Sequence, residues 1–592
     1  MPSSGFILGL LLFYAVFVDG VFQLRPISTI YIPSGYDSDD SPSYEIDGGA
    51  IEQSAYDNVN KLVYGAGSSF IHVIDFSNAS NPIIIKKVHT PGVANDIELC
   101  GDFVAVTVSN NDPYQPGTVL IFSLYNKTDD SFQIIQNITV GSEPDMLKFT
   151  KNCRSIVVAN EGEAFTSTDG NDIVNPEGSL SIITFASNDL SKSPNVSNAD
   201  FQKFNSMSDE LEAKYVRYPY KGYISKQKDT FSQNMEPEYI AFSSDESKAY
   251  VALQENNAIA IVDMATSSVE YIVGLGIKSW KDLKLDASDK DSGINMKSWP
   301  VYSFYQPDSI IHYEINGVEY IATANEGDSI TYRTDDSKWE EDKRGEKLVK
   351  ESLLSGNMSQ TVKMYLENKV ELGRLQFSTV DGLDNDGKIE TLFHYGGRSW
   401  SIFRIENNNL TMLYDSGDEI ERMMALNYPD VFNGDTKPDD PSEETPEELF
   451  DSRSDNKGPE CESLAFGEID GNKLIFVGND RSSSIMIYKL STEGHPTFQS
   501  IFRAGGTDET FTALLDKRNL GDLDPEDLRF IPKDESPTGS ATLLVTSTVS
   551  GTLTLYEIPD VQDTSPSSTY QLKAVNLLLI ITLAAISKFL TI

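Results

Sequence analysis

Apolar and polar positions along this chain fall into short runs, and the runs come in sets. Each set opens with an acid-bearing turn and an apolar stub: "NDIEL" at Asn95, "EPDMLKF" at Glu143, "EPEYIAF" at Glu236, "QPDSIIHY" at Gln306, "PECESLAF" at Pro459 and "DPEDLRFI" at Asp524. A second run follows in each set ("FVAVTVSN", "SIVVANEGE", "KAYVALQEN", "EYIATANEGD", "KLIFVGND", "TLLVTSTV"), then a third ("GTVLIFSL", "GSLSIITF", "AIAIVDM", "SIMIYKL", "GTLTLYEI"). Outer runs such as "FQIIQNITV" and "VEYIVGLG" complete several sets. Runs rich in β-branched residues and bounded by Gly, Pro, Asn and Asp read as strands. Helical stretches such as "SDELEAKYV" from Ser208 are brief. Four short antiparallel strands per unit, repeated along the chain, predict an all-β β-propeller. Units near residues 50, 95, 143, 236, 306, 459 and 524 predict seven blades, or eight if the irregular stretch "LFHYGGRSWSIFRI" stands alone. The N-terminal run "LRPISTIYIPSG" has no unit of its own and is expected to close the ring by completing the last blade.

The propeller is expected over residues 21–560, interrupted twice. Residues 331–371 are highly charged and partly helical, and residues 427–458 include the acidic, Pro-rich "DTKPDDPSEETPEEL", which has too few apolar residues to pack. Both read as loops on one rim. The ends read as targeting segments. Residues 1–20 carry an apolar core from Phe6 to Val18 and match a secretory signal peptide, although no Lys or Arg precedes that core. Residues 561–592 join a small, polar spacer to the apolar tail "AVNLLLIITLAAISKFLTI", interrupted by Lys588 and followed by no basic segment. That is the pattern of a glycosylphosphatidylinositol anchor signal, with attachment expected between Asp563 and Ser568 and removal of the tail; a tail-anchored helix is the alternative.

Composition narrows the partners. A formal net charge of -43 repels a phosphate backbone and excludes nucleic acid, while it attracts cations. Secretion agrees with the acceptor sequons at Asn78, Asn126, Asn137, Asn195, Asn357 and Asn409. Of three Cys, Cys100 and Cys153 sit at the turns after equivalent strands of neighbouring units and are the expected disulfide, leaving Cys461 unpaired.

Because the turn into the innermost strand of a propeller blade lies near the axis, Glu143, Asp145, Glu236, Glu238, Asp308, Glu460, Glu462, Glu526 and Asp527 are expected to converge. Crowded carboxylates repel one another unless a cation neutralises them, and hard oxygen ligands select calcium or magnesium. With five His in the chain, a His-based site is disfavoured. The alternative is that these acids cap turns by accepting backbone N–H bonds. The second run ends twice in Asn-acid-Gly-acid: Asn160, Glu161 and Glu163, then Asn325, Glu326 and Asp328. These residues either hold a calcium that staples two blades or bind the neighbouring turn. "DGLDNDGKIE" places Asp381, Asp384, Asp386 and Glu390 around Gly387 and resembles a calcium loop without EF-hand spacing; an ordinary Asp-Gly hairpin is the alternative. Arg398, Arg453 and Arg481 would suit a phosphate-ester hydrolase if they met metal carboxylates, or would bridge acids between blades. No nucleophile elbow, phosphate-cradling loop or zinc-protease helix is present.

The set "ANEGE", "EPEYIAF…ALQENNAIAIVD", "QPDSI…TANEGD", "LGRLQFS", "YGGRSWSIF", "DSGDEIE", "RSDNKGPE" and "TVSGTLTLYEI" resembles the mesenchyme-specific cell surface glycoprotein family, whose bacterial relatives are choice-of-anchor domain proteins, some labelled alkaline phosphatase-like. The resemblance spans roughly residues 45 to 558, in order. It implies a propeller, an anchored or secreted form, and a role in calcium carbonate skeleton or shell formation. Two departures touch the central turns: the Arg expected soon after "ANEGD" is delayed to Arg333, and the family's "KGPEPE" is here "KGPECE", with Cys461 in place of Pro. The expectation is therefore a non-enzymatic, calcium-interacting cell-surface glycoprotein whose partners are calcium or its carbonate mineral, the membrane through a lipid anchor, and matrix proteins. The rivals are an extracellular metal-dependent phosphoesterase and an adhesion propeller.

Overall fold

The computed structural model describes residues 21–166, 173–224, 227–333 and 338–559; the expected leader and anchor segments lie outside these residues. Seven four-stranded antiparallel sheets make up most of the fold. The first is built from Gln53–Asp57, Leu62–Gly67, Phe70–Asp75 and Ile83–His89, and the second from Val93–Cys100, Phe103–Ser109, Pro116–Ser123 and Ile134–Ser142. In the seventh sheet the chain supplies Pro525–Ile531, Thr542–Ser547 and Thr552–Glu557, and the N-terminal strand Arg25–Tyr31 pairs antiparallel with the last of these. The first strands of successive sheets touch, and that of the seventh touches that of the first. The seven first strands thus line one shared inner space, the lumen.

The middle strands carry apolar residues on both faces because each sheet is covered on both sides by its neighbours. In the third sheet Val157 and Ala159 pack toward the fourth, whereas Ile156 and Val158 pack toward the second. This alternation, repeated around the molecule, produces a separate apolar cluster between each consecutive pair of sheets, including one between Leu544 and Leu553 of the seventh and Val63 and Ile74 of the first. Cys100 and Cys153 form the expected disulfide across the second and third sheets, with Cα atoms 5.6 Å apart, and Cys461 is a buried free thiol. The six sequon asparagines are all exposed.

The irregular stretch belongs to the fifth sheet, where Ser399–Glu406 pairs with Val318–Asn325 across the long insertion. That insertion is wider than residues 331–371 and is not a rim loop. Its helices Gly345–Lys350 and Gln360–Glu367 bury Leu348 and Leu366 against Trp280, Trp299 and Phe377, so residues on both sides of the predicted segment share one core. Residues 427–458 also pack: Phe432 and Val431 are buried against Met424, with Phe450 alongside. A few well-placed aromatic and aliphatic residues, with Asn and Asp side chains closing turns, hold a segment whose composition alone argued for a solvated loop. Among the described residues no helix is long and apolar enough to cross a membrane.

Candidate metal centre

The first strand of five consecutive sheets starts with the same three-residue device: Glu143-Pro144-Asp145, Glu236-Pro237-Glu238, Gln306-Pro307-Asp308, Glu460-Cys461-Glu462 and Asp524-Pro525-Glu526. Four of the leading residues, Glu143, Gln306, Glu460 and Asp524, adopt positive φ of 46°, 50°, 48° and 64°. A non-glycine residue in that region costs energy and is kept only where the surroundings enforce it. Here the turned carbonyls are used: those of Glu143, Glu460 and Asp524 accept the N–H of Glu161, Asp480 and Thr548, the residue just past the second strand of the same sheet.

The device delivers acids to the lumen. Asp145, Glu238, Asp308, Glu462 and Glu526 face one another from the third to the seventh sheets, and Glu52 joins them from the first. In the second sheet the matching position by register is Asn95, whose amide donates to Ser109 Oγ and to the Pro144 carbonyl, both at 3.1 Å. Burial, followed by mutual repulsion, drives these carboxylates up: Glu52 to about 7, Asp145 by burial to about 6, and Glu238, Asp308, Glu462 and Glu526 well above the ordinary range. Tyr239 reaches across the lumen, its hydroxyl accepting from Gln53 Nε2 at 3.0 Å amid Glu526, Asp308, Asp145 and Glu462.

Basic residues neutralise only part of this charge. Glu460, fully buried, meets Arg453 at 2.6 Å, Arg481 at 3.3 Å and Lys457 at 3.5 Å and is held well below the usual range, despite burial, by those three cations. Lys457 also lies 2.6 Å from Glu326, and Lys437 lies 3.7 Å from Asp524. Toward the third and fourth sheets, among the described residues, no Lys, Arg or His pairs with the carboxylates of Glu143, Glu161, Glu163, Glu236 and Glu255, and Arg217 reaches only the Glu255 carbonyl, at 2.8 Å. Burial and the neighbouring acids raise Glu143 to about 7 and Glu255 to about 8, and push Glu161 and Glu236 well up. Oxygens of Glu143, Glu236, Glu238, Glu255, Asp308 and Glu462 are buried without a hydrogen-bond donor. Leaving such groups unpaired costs free energy, and a hard cation removes that cost. Among the described residues, one group of three carboxylates places an oxygen of each within 4.8 Å of the others: Asp308, Glu326 and Glu462.

The residues read from sequence divide sharply. The turn acids converge as expected, except Asp527, which accepts from Ser54 N and Oγ at 3.2 and 2.9 Å and ties the seventh sheet to the first. Asn160 and Asn325 are buried within their sheets and do not face the lumen. Asn160 Nδ2 reaches Ser181 Oγ at 3.1 Å, and Asn325 Nδ2 reaches Ser401 Oγ at 2.8 Å. Asn479, at the same place in the sixth sheet, bonds Ser484 Oγ at 3.2 Å. The repeated Asn closes the second strand on the third; the acids after it, Glu161 and Glu326, are the ones that face inward. Gly327 permits the turn between Glu326 and Asp328, with φ 90° and a Cβ there falling 2.2 Å from Gly396 N.

The loop at residues 381–390 keeps its acids apart. Asp381 pairs with Arg217 at 2.8 Å, Asp384 accepts the N–H of Asp386 and of Lys388 at 2.9 and 3.0 Å, and Glu390 accepts from Asn357 at 2.9 Å. The three arginines are likewise committed. Arg398, 1% exposed, binds Glu421 and the carbonyls of Asp286, Ser454 and Asn456. Arg453 and Arg481 meet on Glu460. Sequence reasoning missed Glu52, Glu255 and the counter-ion Lys457. Glu255 lies two residues past the second strand, one further than Glu161, and Glu52 has no Pro-acid turn to mark it.

Repeated four-stranded sheets around an acidic lumen define the class: an all-β repeat protein whose centre is built from carboxylates. Within it the chain belongs to the family of the choice-of-anchor I domain, whose model matches residues 52–493. It is 27% identical to the mesenchyme-specific cell surface glycoprotein of Strongylocentrotus purpuratus, over 88% of this chain and 85% of that one. It is 35% identical to Gigasin-3a of Magallana gigas over 34% of this chain and 70% of that one. Among solved structures, the β-propeller domain of Cps50 (Swd1) from Myceliophteria thermophila aligns at 7% identity and a TM-score of 0.41, covering 91% of this chain and 100% of that domain.

Proposed function

We propose that this protein is an extracellular, lipid-anchored glycoprotein of a mineralising matrix that interacts with calcium through its lumen, and that its seven sheets close as the blades of one propeller. The observation that carries the calcium reading is the incomplete charge balance: buried carboxylates from several sheets face one space, and basic residues answer only some of them, Glu326, Glu460 and Asp524. All-oxygen donors favour calcium over zinc or copper. The sequons are exposed, as surface glycosylation requires, and the relative from Strongylocentrotus purpuratus is by name a cell surface glycoprotein. The arginines that a phosphoesterase would need are engaged with Glu421 and Glu460, which favours the non-enzymatic reading over its rival.

The test is calcium binding by the purified, chelator-treated full-length protein, measured by calorimetry and metal analysis, beside turnover of a generic phosphate ester. Saturable calcium binding without turnover is the expected result. No binding at about 10 mM calcium, about tenfold above the weak limit of extracellular sites, overturns the reading. Turnover lost on Arg481→Ala would install the phosphoesterase in its place.

A further inference from the structure

We propose that Asp308, Glu326 and Glu462 form one discrete calcium site where the fifth and sixth sheets meet, and that Lys457 is a built-in competitor that weakens it. The proposal rests on the reading of the lumen as a calcium-binding space and names the place and the tuning of the ion.

The geometry is specific. Asp308 enters from the first strand of the fifth sheet, Glu326 from the end of that sheet's second strand, and Glu462 from the first strand of the sixth. One oxygen from each lies within 4.8 Å of the others, a spread that fits the oxygens around an ion ligated at the 2.3–2.6 Å typical of calcium. Asp308 is 9% exposed, and its Oδ2 has no donor; Glu462 Oε2 is also buried without one. Glu238, 7% exposed and with a donorless Oε2, borders Asp308 from the fourth sheet and offers a further ligand. Asp308 and Glu462 share a hydrogen bond with each other and have no basic side chain between them, an arrangement in which a divalent ion can take the place of the shared proton.

Glu326 differs from its partners. Its Oε1 accepts from Lys457 Nζ at 2.6 Å and its Oε2 from Gln254 Nε2 at 2.6 Å. Gln254 orients the carboxylate, whereas Lys457 already neutralises it. An ion in the triad must share Glu326 with that ammonium and sits beside a positive charge. Lys457 thus sets the affinity low, in the range of extracellular modules, rather than at the tight values of intracellular buffers. Magnesium, which holds its waters and demands a near-ideal octahedron, gains less from carboxylates spread over separate strands.

The test is calcium titration of the full-length protein and of Asp308→Asn, Glu462→Gln and Lys457→Gln, with melting curves to verify folding. Asp308→Asn and Glu462→Gln are expected to lose one bound calcium or weaken it about tenfold or more, while Lys457→Gln tightens it by a similar factor, since removing an adjacent positive charge favours a bound cation. A merely structural Lys457 would give weaker or unchanged binding, and that result overturns the competitor role. If wild-type binds calcium and both acid variants keep the full stoichiometry and affinity, the site is wrong though the broader reading stands. If Asp384→Asn abolishes binding instead, the ion belongs to the loop at 381–390. If wild-type binds none, the broader reading falls first. A variant that fails to fold is replaced by Glu326→Gln, which is expected to weaken calcium binding and to lose the sensitivity to Lys457→Gln.

Discussion

Raising the pH of the metal-free protein is expected to destabilise it, because the lumen holds protons that the unfolded chain releases. Glu52 and Glu143 are the reporters: both are pushed up to about 7, chiefly by burial and next by neighbouring carboxylates, Asp145 for Glu52 (with Lys437 opposing) and Glu163, then Asp145, for Glu143. Below about pH 4.5 both the folded and the unfolded chain carry these protons; between there and about 7 only the folded chain does; above that neither does. Their contribution is therefore full at low pH and lost as pH rises through 7. A rise to about 7 corresponds to about 3 kcal/mol for each group, and water in the lumen screens part of it, so the pair accounts for about 4 kcal/mol. At about 1 kcal/mol per degree for a chain of this length, the melting temperature in chelator should fall by about 4 °C between pH 5 and pH 8. Calcium opposes the loss: an ion held only by the folded state contributes about 2.7 kcal/mol at a hundredfold excess over its dissociation constant, and it binds best once the carboxylates are ionised. Calorimetric melting with chelator and with calcium, at both pH values, is the assay. A metal-free melting temperature that is flat or rises toward pH 8, or a calcium effect equal at the two pH values, refutes the reasoning.

Replacing Cys100 and Cys153 by Ser frees a loop whose ends are 53 residues apart and should cost about 4 kcal/mol by loop-closure entropy; an unchanged melting temperature, or a Cys153–Cys461 peptide in non-reduced mapping, would count against the bond. Arg398→Ala strands the buried Glu421 and should destabilise by about 3–5 kcal/mol without removing calcium binding, which a denaturant titration beside a calcium titration will separate. Asn325→Ala removes donors to Ser399 and Ser401 and should cost about 2 kcal/mol in the same titration while leaving calcium stoichiometry intact; a lost ion would restore Asn325 as a ligand. Phosphatidylinositol-specific phospholipase should release the protein from expressing cells, and retention with the C-terminal tail still present by mass spectrometry would exclude the lipid anchor.

The strand pattern was legible because it has one physical cause repeated: each middle strand is covered on both faces, so runs such as "FVAVTVS" carry apolar residues without a break. The turn acids were legible for a similar reason, since Pro fixes the chain direction ahead of the first strand and places the next residue inward. What failed is what depends on distant partners. "DGLDNDGKIE" has the composition of a calcium loop, but Arg217, some 160 residues earlier in the chain, takes up Asp381, Asn357 donates to Glu390, and Asp384 closes its own turn. Nothing local to residues 381–390 announces that arginine.

The Asn-acid-Gly-acid repeat shows how the two kinds of information mix. Its Asn and its acids look like one ligand set, yet neighbouring residues in a strand point to opposite sides, so Asn160 turns into the sheet as Glu161 turns to the lumen. Sequence spacing could not say which side was wet. Of the counter-ions, Arg453 was read as a bridge between acids in one of two alternatives and Lys457 was missed; both come from the segment whose acidity argued for a solvated loop, and that segment, with Phe432 buried, packs down onto Glu460 and Glu326. Which carboxylates of the lumen meet a cation therefore follows in large part from where one insertion docks. The turn acids recur from sheet to sheet; the insertion neutralises Glu460 and engages Glu326, and it leaves Asp308 Oδ2 and Glu462 Oε2 beside them without a donor.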